Sequence, residues 1–260
     1  MRHTIDTVCG CFPTGRHYPG IADLLAQASA SDEHIVAGLV AEFAPQTEWA
    51  HAPLAVIDFE TTGLDAELDR VIELGIVCVD RGEITHVGNW LINPMMPIPE
   101  AASSVHGITN DVVAQSPTFA ELVREWMPLL HGRLPVAYNA DFDRKFLHAE
   151  FRRYQSQLDT PADVSAMAPA LRQDAVWIDP LVWVRELQKY ERGKKLTDVC
   201  ARMGIELSNA HRASGDAEAT AKVLMALRKD LPSAYSELIR LQVQYAARQE
   251  AERQAWRSRG

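Results

Sequence analysis

Cysteine is scarce in this chain: Cys9, Cys11, Cys78 and Cys200 are the only four in 260 residues. That is too few for a disulfide scaffold and points to a reducing compartment. Cys78 and Cys200 lie in apolar runs and read as small buried hydrophobes. No stretch approaches the roughly 20 apolar residues of a membrane span. The N-terminus shows no basic segment followed by an apolar run and a cleavage site. The expectation is a soluble, cytoplasmic protein with no membrane partner. Positive charge is not in excess either: 26 Lys and Arg stand against 35 Asp and Glu, a net charge of −9. This balance argues against a basic nucleic-acid coat, though not against an enzyme that grips nucleic acid locally. A carboxylate-built metal site would itself add to the negative count. Internal repeats and low-complexity tracts are missing as well.

What is present suffices for one well-cored domain with extensions, since 47% of the residues are hydrophobic. Residues 1–52 read as an N-terminal extension of loop plus short helices. Cys9-Gly10-Cys11, Pro13, Gly15, Pro19 and Gly20 punctuate its first part as loop. His3, Cys9, Cys11 and His17 invite a zinc site, but their spacing matches no zinc module, and free thiols on an arm are the simpler reading. Ile21 to Gln27 reads as one short helix. Ser31 caps a second, with Ile35, Val36, Leu39, Val40 and Phe43 on one face. That stripe must pack on the main domain, on a second copy or on another protein.

The main domain spans 53–231. Leu54 to Glu60, Arg70 to Val79 and Ile84 to Ile92 read as an antiparallel meander of three strands, the last two joined by a turn at Asp80 to Glu83. Asn93 to Pro99 is a Pro-rich loop. Thr118 and Glu121 form a capping box for a helix running to about Leu130. Leu134 to Tyr138 is a fourth strand, followed by a helix to about Tyr154, and Val176 to Asp179 is a fifth. Helices then occupy Pro180 to Tyr190, Leu196 to Met203 and Asp216 to Lys229, the second closed by Gly204. The result is an α/β domain with a mixed five-stranded sheet flanked by helices. Residues 232–260 add a C-terminal helical extension, with Leu238, Leu241 and Tyr245 on one side.

The chemistry collects around the end of the first strand, LAVIDFETTG. Alternation along a strand puts Asp58 and Glu60 on one face, with Phe59 on the other. Two carboxylates so close repel unless a cation or a proton lies between them. An isolated Asp-x-Glu is usually a solvated strand end, and Asp143 and Asp216, each at a helix start, would singly read as caps. His211 alone would be a surface loop residue. Together they make a set of four carboxylates and one histidine. Oxygen ligands without thiols suit magnesium or manganese rather than structural zinc.

These segments resemble the motifs of the DnaQ-like (DEDDh) 3′–5′ exonucleases. The residues concerned are Asp58-x-Glu60 before Thr-Thr-Gly, Asn139-Ala-x-Phe142-Asp143, and His211 five residues before Asp216-Ala217. RVIELGIV, HGIT and KKLTDVCARMGI look like family segments in family order, and the likeness covers roughly residues 53 to 230. The proofreading exonuclease subunits and domains of bacterial DNA polymerase III are the most similar in look. The resemblance implies a ribonuclease H-like fold and two divalent cations, Mg or Mn. Asp58 would bridge both, Glu60 and Asp216 would complete one, and Asp143 would help hold the second. His211 would be the general base, and the family's acid in the second motif is Asp143 rather than Asp141. Thr61 and Leu64 would lie against the terminal nucleotide and His106 near the 3′ end. Arg144, Lys145 and Arg212 are candidates for phosphate contacts.

The function so implied is hydrolysis of single-stranded 3′ ends to nucleoside monophosphates in proofreading or repair, with DNA favoured. RNA 3′-end trimming uses the same catalytic set. A third reading makes the chain mainly a binding subunit of a DNA polymerase, or a homodimer, joined through the terminal helices.

Overall fold

The computed structural model describes residues 38–159, 167–207 and 212–258. Its centre is β1, Leu54–Thr61. Leu54 and Val56 enter one core, while Ala55, Ile57 and Phe59 enter the other. A strand covered on both faces reads as a continuous apolar run, which is why β1 and β2 (Val71–Asp80) show so little polar alternation. β2 pairs antiparallel with β1, Asp58 facing Gly75 and Glu60 facing Glu73. β3 (Glu83–Leu91) continues the meander. β4 (Leu134–Val136) returns parallel to β1, giving the order β3-β2-β1-β4.

The sheet has four strands among the described residues, not the five expected. The segment at Val176 to Asp179 makes a single parallel bridge, Val136 to Ile178. Ile178 N donates to Pro135 O at 2.9 Å, and Ala137 N donates to Ile178 O at 3.2 Å. Pairing stops there because Asp179 turns its side chain to helix capping and Pro180 has no N–H to continue a ladder.

α1 (Glu100–His106) and α2 (Asn110–Val113) border a small cluster of Ile72, Ile98, Ile108 and Val113, and one helical layer holds α3 (Phe119–Trp126) and α4 (Ala140–Gln155). Of these, α3 and α4 carry Phe119, Trp126, Phe146 and Leu147 into the core shared with Ile57 and Phe59. The capping box of α3 is present, with both Thr118 and Glu121 engaged. α1 was not expected. Its sequence EAASSVH has no apolar stripe and buries only His106, so periodicity gives no signal.

The opposite core is covered by α5 (Pro180–Leu187), α6 (Leu196–Met203), α7 (Ala213–Leu227) and α8 (Tyr235–Arg257). α6 ends at Gly204 in the left-handed conformation, as expected. α8 buries Tyr235, Leu238, Ile239, Leu241 and Tyr245 in this core, so its apolar side is occupied within the chain. Both Cys78 and Cys200 are buried.

The second N-terminal helix is corrected where it is described. Residues 38–43 are turn and irregular backbone, not helix. Val40 N donates to the Tyr235 hydroxyl at 3.1 Å, and Phe43 packs edge-on against that ring. Gly38 has φ +99°, and a Cβ there would meet Val176 Cγ2 at 2.3 Å, so helix cannot run through it. Ile21 to Gln27, the first half of the second helix, and the His3, Cys9, Cys11 and His17 set lie outside the described residues. Among those described, no helix is long and apolar enough to cross a membrane.

Candidate active site

Asp58 and Glu60 leave β1 on the same side as Leu54 and Val56, toward α7. The N-terminus of α7 reaches them because β2 carries Gly75 opposite Asp58. A Cβ at Gly75 would lie 2.2 Å from the carbonyl carbon of Ala213 and 2.4 Å from Ser214 N. A glycine inside an otherwise apolar strand marks such a close backbone approach. Asp216, in the first turn of α7, is thereby brought to the strand end. Asp58, Glu60 and Asp216 each offer a carboxylate oxygen, and these atoms all lie within 4.8 Å of one another.

Asp143 arrives from the other layer. It is 3% exposed, and its Oδ1 accepts a hydrogen bond from Phe59 N at 3.2 Å, between the two acids of β1. Its helix, α4, is fixed at two points. Asp179 accepts from Asn139 N, Ala140 N and Leu181 N at 3.0, 3.1 and 2.9 Å, capping α4 and α5 together. Further along, Glu150 accepts from Arg70 through Nε and Nη2 at 2.7 and 2.9 Å.

The electrostatics follow from the crowding. Burial pushes the Asp58 carboxyl well above the usual carboxylate range, helped by Asp143, Asp216, Glu60 and Glu73. Glu60 is pushed up to about 7 by burial, then by Asp216 and Glu73, with Arg212 opposing. Burial also raises Asp143, against the backbone N–H groups that favour its ionised form. Converging oxygen donors with mutually raised pKa values are what a hard divalent cation would relieve, so the donor set fits one.

The remaining predicted residues divide. Thr61 is buried, and its hydroxyl donates to Gly63 O at 2.6 Å. Leu64 is 87% exposed beside that turn. His106 is buried, its Nδ1 accepting from Ile108 N at 3.0 Å. Burial lowers its pKa, against smaller opposite effects of Glu73 and the Thr61 backbone. Arg144 and Lys145 pair with the exposed Asp141, which stands apart from the acid cluster. Arg212 is bound to Glu73 through Nε at 2.8 Å and through Nη2. His211 lies outside the described residues.

Two supporting acids were missed by the sequence reading. Glu73 is 0% exposed and accepts from Arg212, from Asn89 Nδ2 at 2.9 Å and from Ala213 N at 3.0 Å, tying the start of α7 to the sheet. Its signal was a lone acid inside RVIELGIVCV. Asp179, raised to about 6 by burial despite its three backbone donors, was signalled by an Asp at a strand end before Pro180.

The exonuclease family model RNase_T matches residues 55–224. The chain is 34% identical over 173 residues to the DNA polymerase III subunit epsilon of Treponema pallidum (strain Nichols), covering 64% of this chain and 72% of that one. It is 30% identical over 179 residues to the PolC-type DNA polymerase III of Thermotoga petrophila, covering 69% of this chain. The chain spans only 12% of that polymerase. Among solved structures, E. coli Exonuclease I in complex with a dT13 oligonucleotide superposes with a TM-score of 0.56 at 19% identity, over 69% of this chain and 41% of that one. This likeness shows the ribonuclease H-like fold. With the family model spanning most of its length, and with acids from one strand and two helices meeting at the end of that strand, the chain belongs to the exonuclease family.

Proposed function

We propose that this chain is a metal-dependent 3′–5′ exonuclease that hydrolyses single-stranded DNA ends to nucleoside monophosphates, in proofreading or repair. The observation that carries the reading is the convergence of Asp58, Glu60 and Asp216 within 4.8 Å, with Asp143 hydrogen-bonded to the backbone between the first two. These four residues would hold two divalent cations, Mg or Mn. When bound, such ions lower the pKa of water and offset charge on the attacking and leaving oxygens of a phosphodiester.

In the proposed reaction a water oxygen forms a bond to the terminal phosphorus, and the bond from phosphorus to the 3′ oxygen of the preceding nucleotide breaks. The products are a nucleoside 5′-monophosphate and a strand one residue shorter with a free 3′ hydroxyl. His211, two residues before α7, takes the water's proton; an imidazole pKa near 6.5 suits a base around neutral pH. Thr61 and Leu64 lie where the turn after β1 would meet the terminal nucleotide, with His106 near the 3′ end. Arg144 and Arg212 would reach phosphate only by exchanging their present carboxylate partners, Asp141 and Glu73.

DNA is favoured because the relatives named above are DNA polymerase proteins. The epsilon likeness also supports association with a DNA polymerase, which co-purification would test. A homodimer through α8 has less support, since that helix buries its apolar side within the chain.

The deciding experiment is degradation of a 5′-labelled single-stranded DNA and its RNA counterpart with magnesium, with manganese and with chelator. A metal-dependent ladder shortening from the 3′ end of the DNA is the expected result. A faster ladder on RNA would move the substrate to RNA. No cleavage of either strand would overturn the enzyme and leave a binding subunit.

A further inference from the structure

A second charged feature lies outside the acid cluster. Between α5 and the C-terminal part of α8 is a cleft of about 780 Å³, lined by Arg185, Lys189, Lys194, Arg248, Arg253 and Arg257. Only two carboxylates, Glu186 and Glu252, share the lining. On a chain of net charge −9, six cations against two anions in one cleft is a local reversal of sign. Cations so gathered, within low-dielectric walls, focus the field onto an anionic ligand.

Internal pairing leaves much of this charge unmet. Arg248 pairs with Glu186 and Arg253 with Glu250. Lys194 donates to the carbonyls of Gln188 and Glu191. Arg185, Lys189 and Arg257 make no ion pair among the described residues. Arg185 is half-buried as well. Its pKa is held below the usual arginine range, first by burial and then by the facing Arg253 charge, against opposite effects of Asp179, Tyr138 and Glu250. A guanidinium does not lose its proton in proteins, so an anion in the cleft would relieve the repulsion between Arg185 and Arg253.

Two further features narrow the ligand. Trp256, on the same lining, is 79% exposed. The cationic stripe on α8 runs from Arg248 to Arg257, about 14 Å at 1.5 Å per residue. A small anion would occupy a fraction of that length and has no use for an indole face. A single nucleic-acid strand offers both a line of phosphates and bases that stack on aromatic rings. The cleft also meets the active-site scaffold. The Tyr138 hydroxyl donates to Lys194 O at 2.6 Å, and Tyr138 directly precedes the residues capped by Asp179 at the start of α4, the helix of Asp143. α8 lies beyond the residues matched by the family model, so it adds one wall to a cleft whose other wall, with Arg185, Lys189 and Lys194, belongs to the matched domain.

We infer that the cleft between α5 and α8 binds the sugar-phosphate backbone of a single nucleic-acid strand upstream of its 3′ end, with Trp256 stacking on a base. The inference rests on the proposed exonuclease reading only for the identity of the strand whose 3′ end lies at the acid cluster.

The test uses the full chain in chelator, so that the strand survives, and follows binding of a 5′-fluorescein DNA of roughly 16 nucleotides, the upper end of single-strand site sizes. The variant R185Q/R253Q/R257Q should bind at least about tenfold more weakly. Its plot of log affinity against log salt should be shallower by about 2, at roughly 0.7 for each phosphate left without its cation. Trp256→Ala should weaken DNA but not inorganic polyphosphate. With magnesium, the ratio of kcat/KM on the long strand to that on a dinucleotide should fall in the triple variant. Unchanged affinity and salt slope would overturn the cleft as a strand site. So would an equal loss of binding to poly-glutamate, which would make it a general anion surface. The two readings separate cleanly. A wild-type chain that binds with the full salt slope but cuts nothing fails the enzyme alone. One that cuts both substrates with a ratio the triple variant does not alter fails the cleft alone.

Discussion

The carboxylate of Asp143 accepts a hydrogen bond from the backbone N–H of Phe59, at 3.2 Å across two layers of the fold. That bond places an acid of α4 between the two acids of β1. Asp141, two residues earlier, is exposed and holds Arg144 and Lys145. Asp58→Ala, Asp143→Ala and Asp216→Ala should each abolish turnover. Asp58→Ala should leave the thermal midpoint at or above that of the parent, since it removes mutual repulsion, whereas Asp143→Ala should lower it, since it orphans the buried Phe59 N–H. Asp141→Ala should stay within a few-fold of the parent rate, because exposed ion pairs of this kind contribute about 0–1 kcal/mol. Steady-state rates on a labelled oligonucleotide check both, and a lethal Asp141→Ala beside a tolerated Asp143→Ala would reverse the assignment.

His211 carries the proton in the proposed reaction. His211→Ala should cut kcat by about 10²–10⁴-fold, the usual share of a general base, with metal binding by calorimetry retained. Near-parental kcat would remove His211 from that role.

The acid cluster makes stability depend on pH in a definite direction. Glu60 is held near 7, above its ordinary 4.5, by burial first and then by Asp216 and Glu73. Between those values the folded chain binds more protons than the unfolded one. The contribution is fully present below about 4.5 and is lost as pH rises through about 7. Asp58 and Asp143 shift the same way. In chelator, the thermal midpoint should therefore fall across this window, and Glu60→Gln should flatten the fall. Added magnesium should raise the midpoint more above the window than below it. A midpoint that climbs through the window in chelator would contradict the shared repulsion.

Glu73 does no chemistry in this scheme and yet sets its geometry. Glu73→Ala leaves the buried Ala213 N–H unpaired and frees Arg212 and Asn89. An orphaned buried donor costs about 1–3 kcal/mol, which urea unfolding would read. The same change loosens α7 and with it Asp216. About 1.4 kcal/mol of lost transition-state stabilisation is roughly tenfold in rate, so kcat should fall by at least about that factor. Glu73→Gln keeps an acceptor for Ala213 N and should recover much of the stability but less of the rate. Equal recovery of both would make Glu73 a purely structural residue.

Much of this arrangement was legible in the residues. The meander, the capping box at Thr118, the Gly204 stop and the shared face of Asp58 and Glu60 each rest on local chemistry: β-branched alternation, a side-chain cap, a left-handed glycine. What escaped depended on partners distant in sequence. A fifth strand was expected at Val176 to Asp179 because apolar runs do not reveal how many ladder bonds they will form; Asp179 diverts that run after one bridge. The turn at residues 38–43 was hidden because it is dictated by Tyr235, nearly 200 residues away. Glu73 and Asp179 looked like incidental acids for the same reason: their roles lie in backbone donors supplied by α7, α4 and α5. α1 was hidden by its composition, since a seven-residue helix burying one histidine has no stripe to detect.

Gly75 offers the sharpest separation of packing from chemistry. It lies opposite Asp58 in the β1–β2 register, and α7 rests on it through the backbone of Ala213 and Ser214. A methyl group there, 2.2 Å from a backbone carbon, cannot be absorbed by a rotamer change; the start of α7 must move. Overpacking of this kind costs about 1–3 kcal/mol, partly offset by the roughly 0.5–1 kcal/mol that alanine gains over glycine in a strand. Gly75→Ala should therefore be mildly destabilised. The effect on rate should be larger, because α7 carries Asp216, and a displacement near 1 Å in a reacting constellation costs on the order of 10²-fold. Gly88→Ala is the matched control. The three atoms nearest its added methyl all belong to the far edge of the Trp90 ring on the same strand, a side chain that can shift at the cost of an exposed hydrogen bond to Glu125. It should lose little stability and keep its rate. If Gly75→Ala and Gly88→Ala show the same rate, the approach of α7 to β2 does not position Asp216. A slow Gly75→Ala enzyme with a near-parental melting midpoint would show that it does.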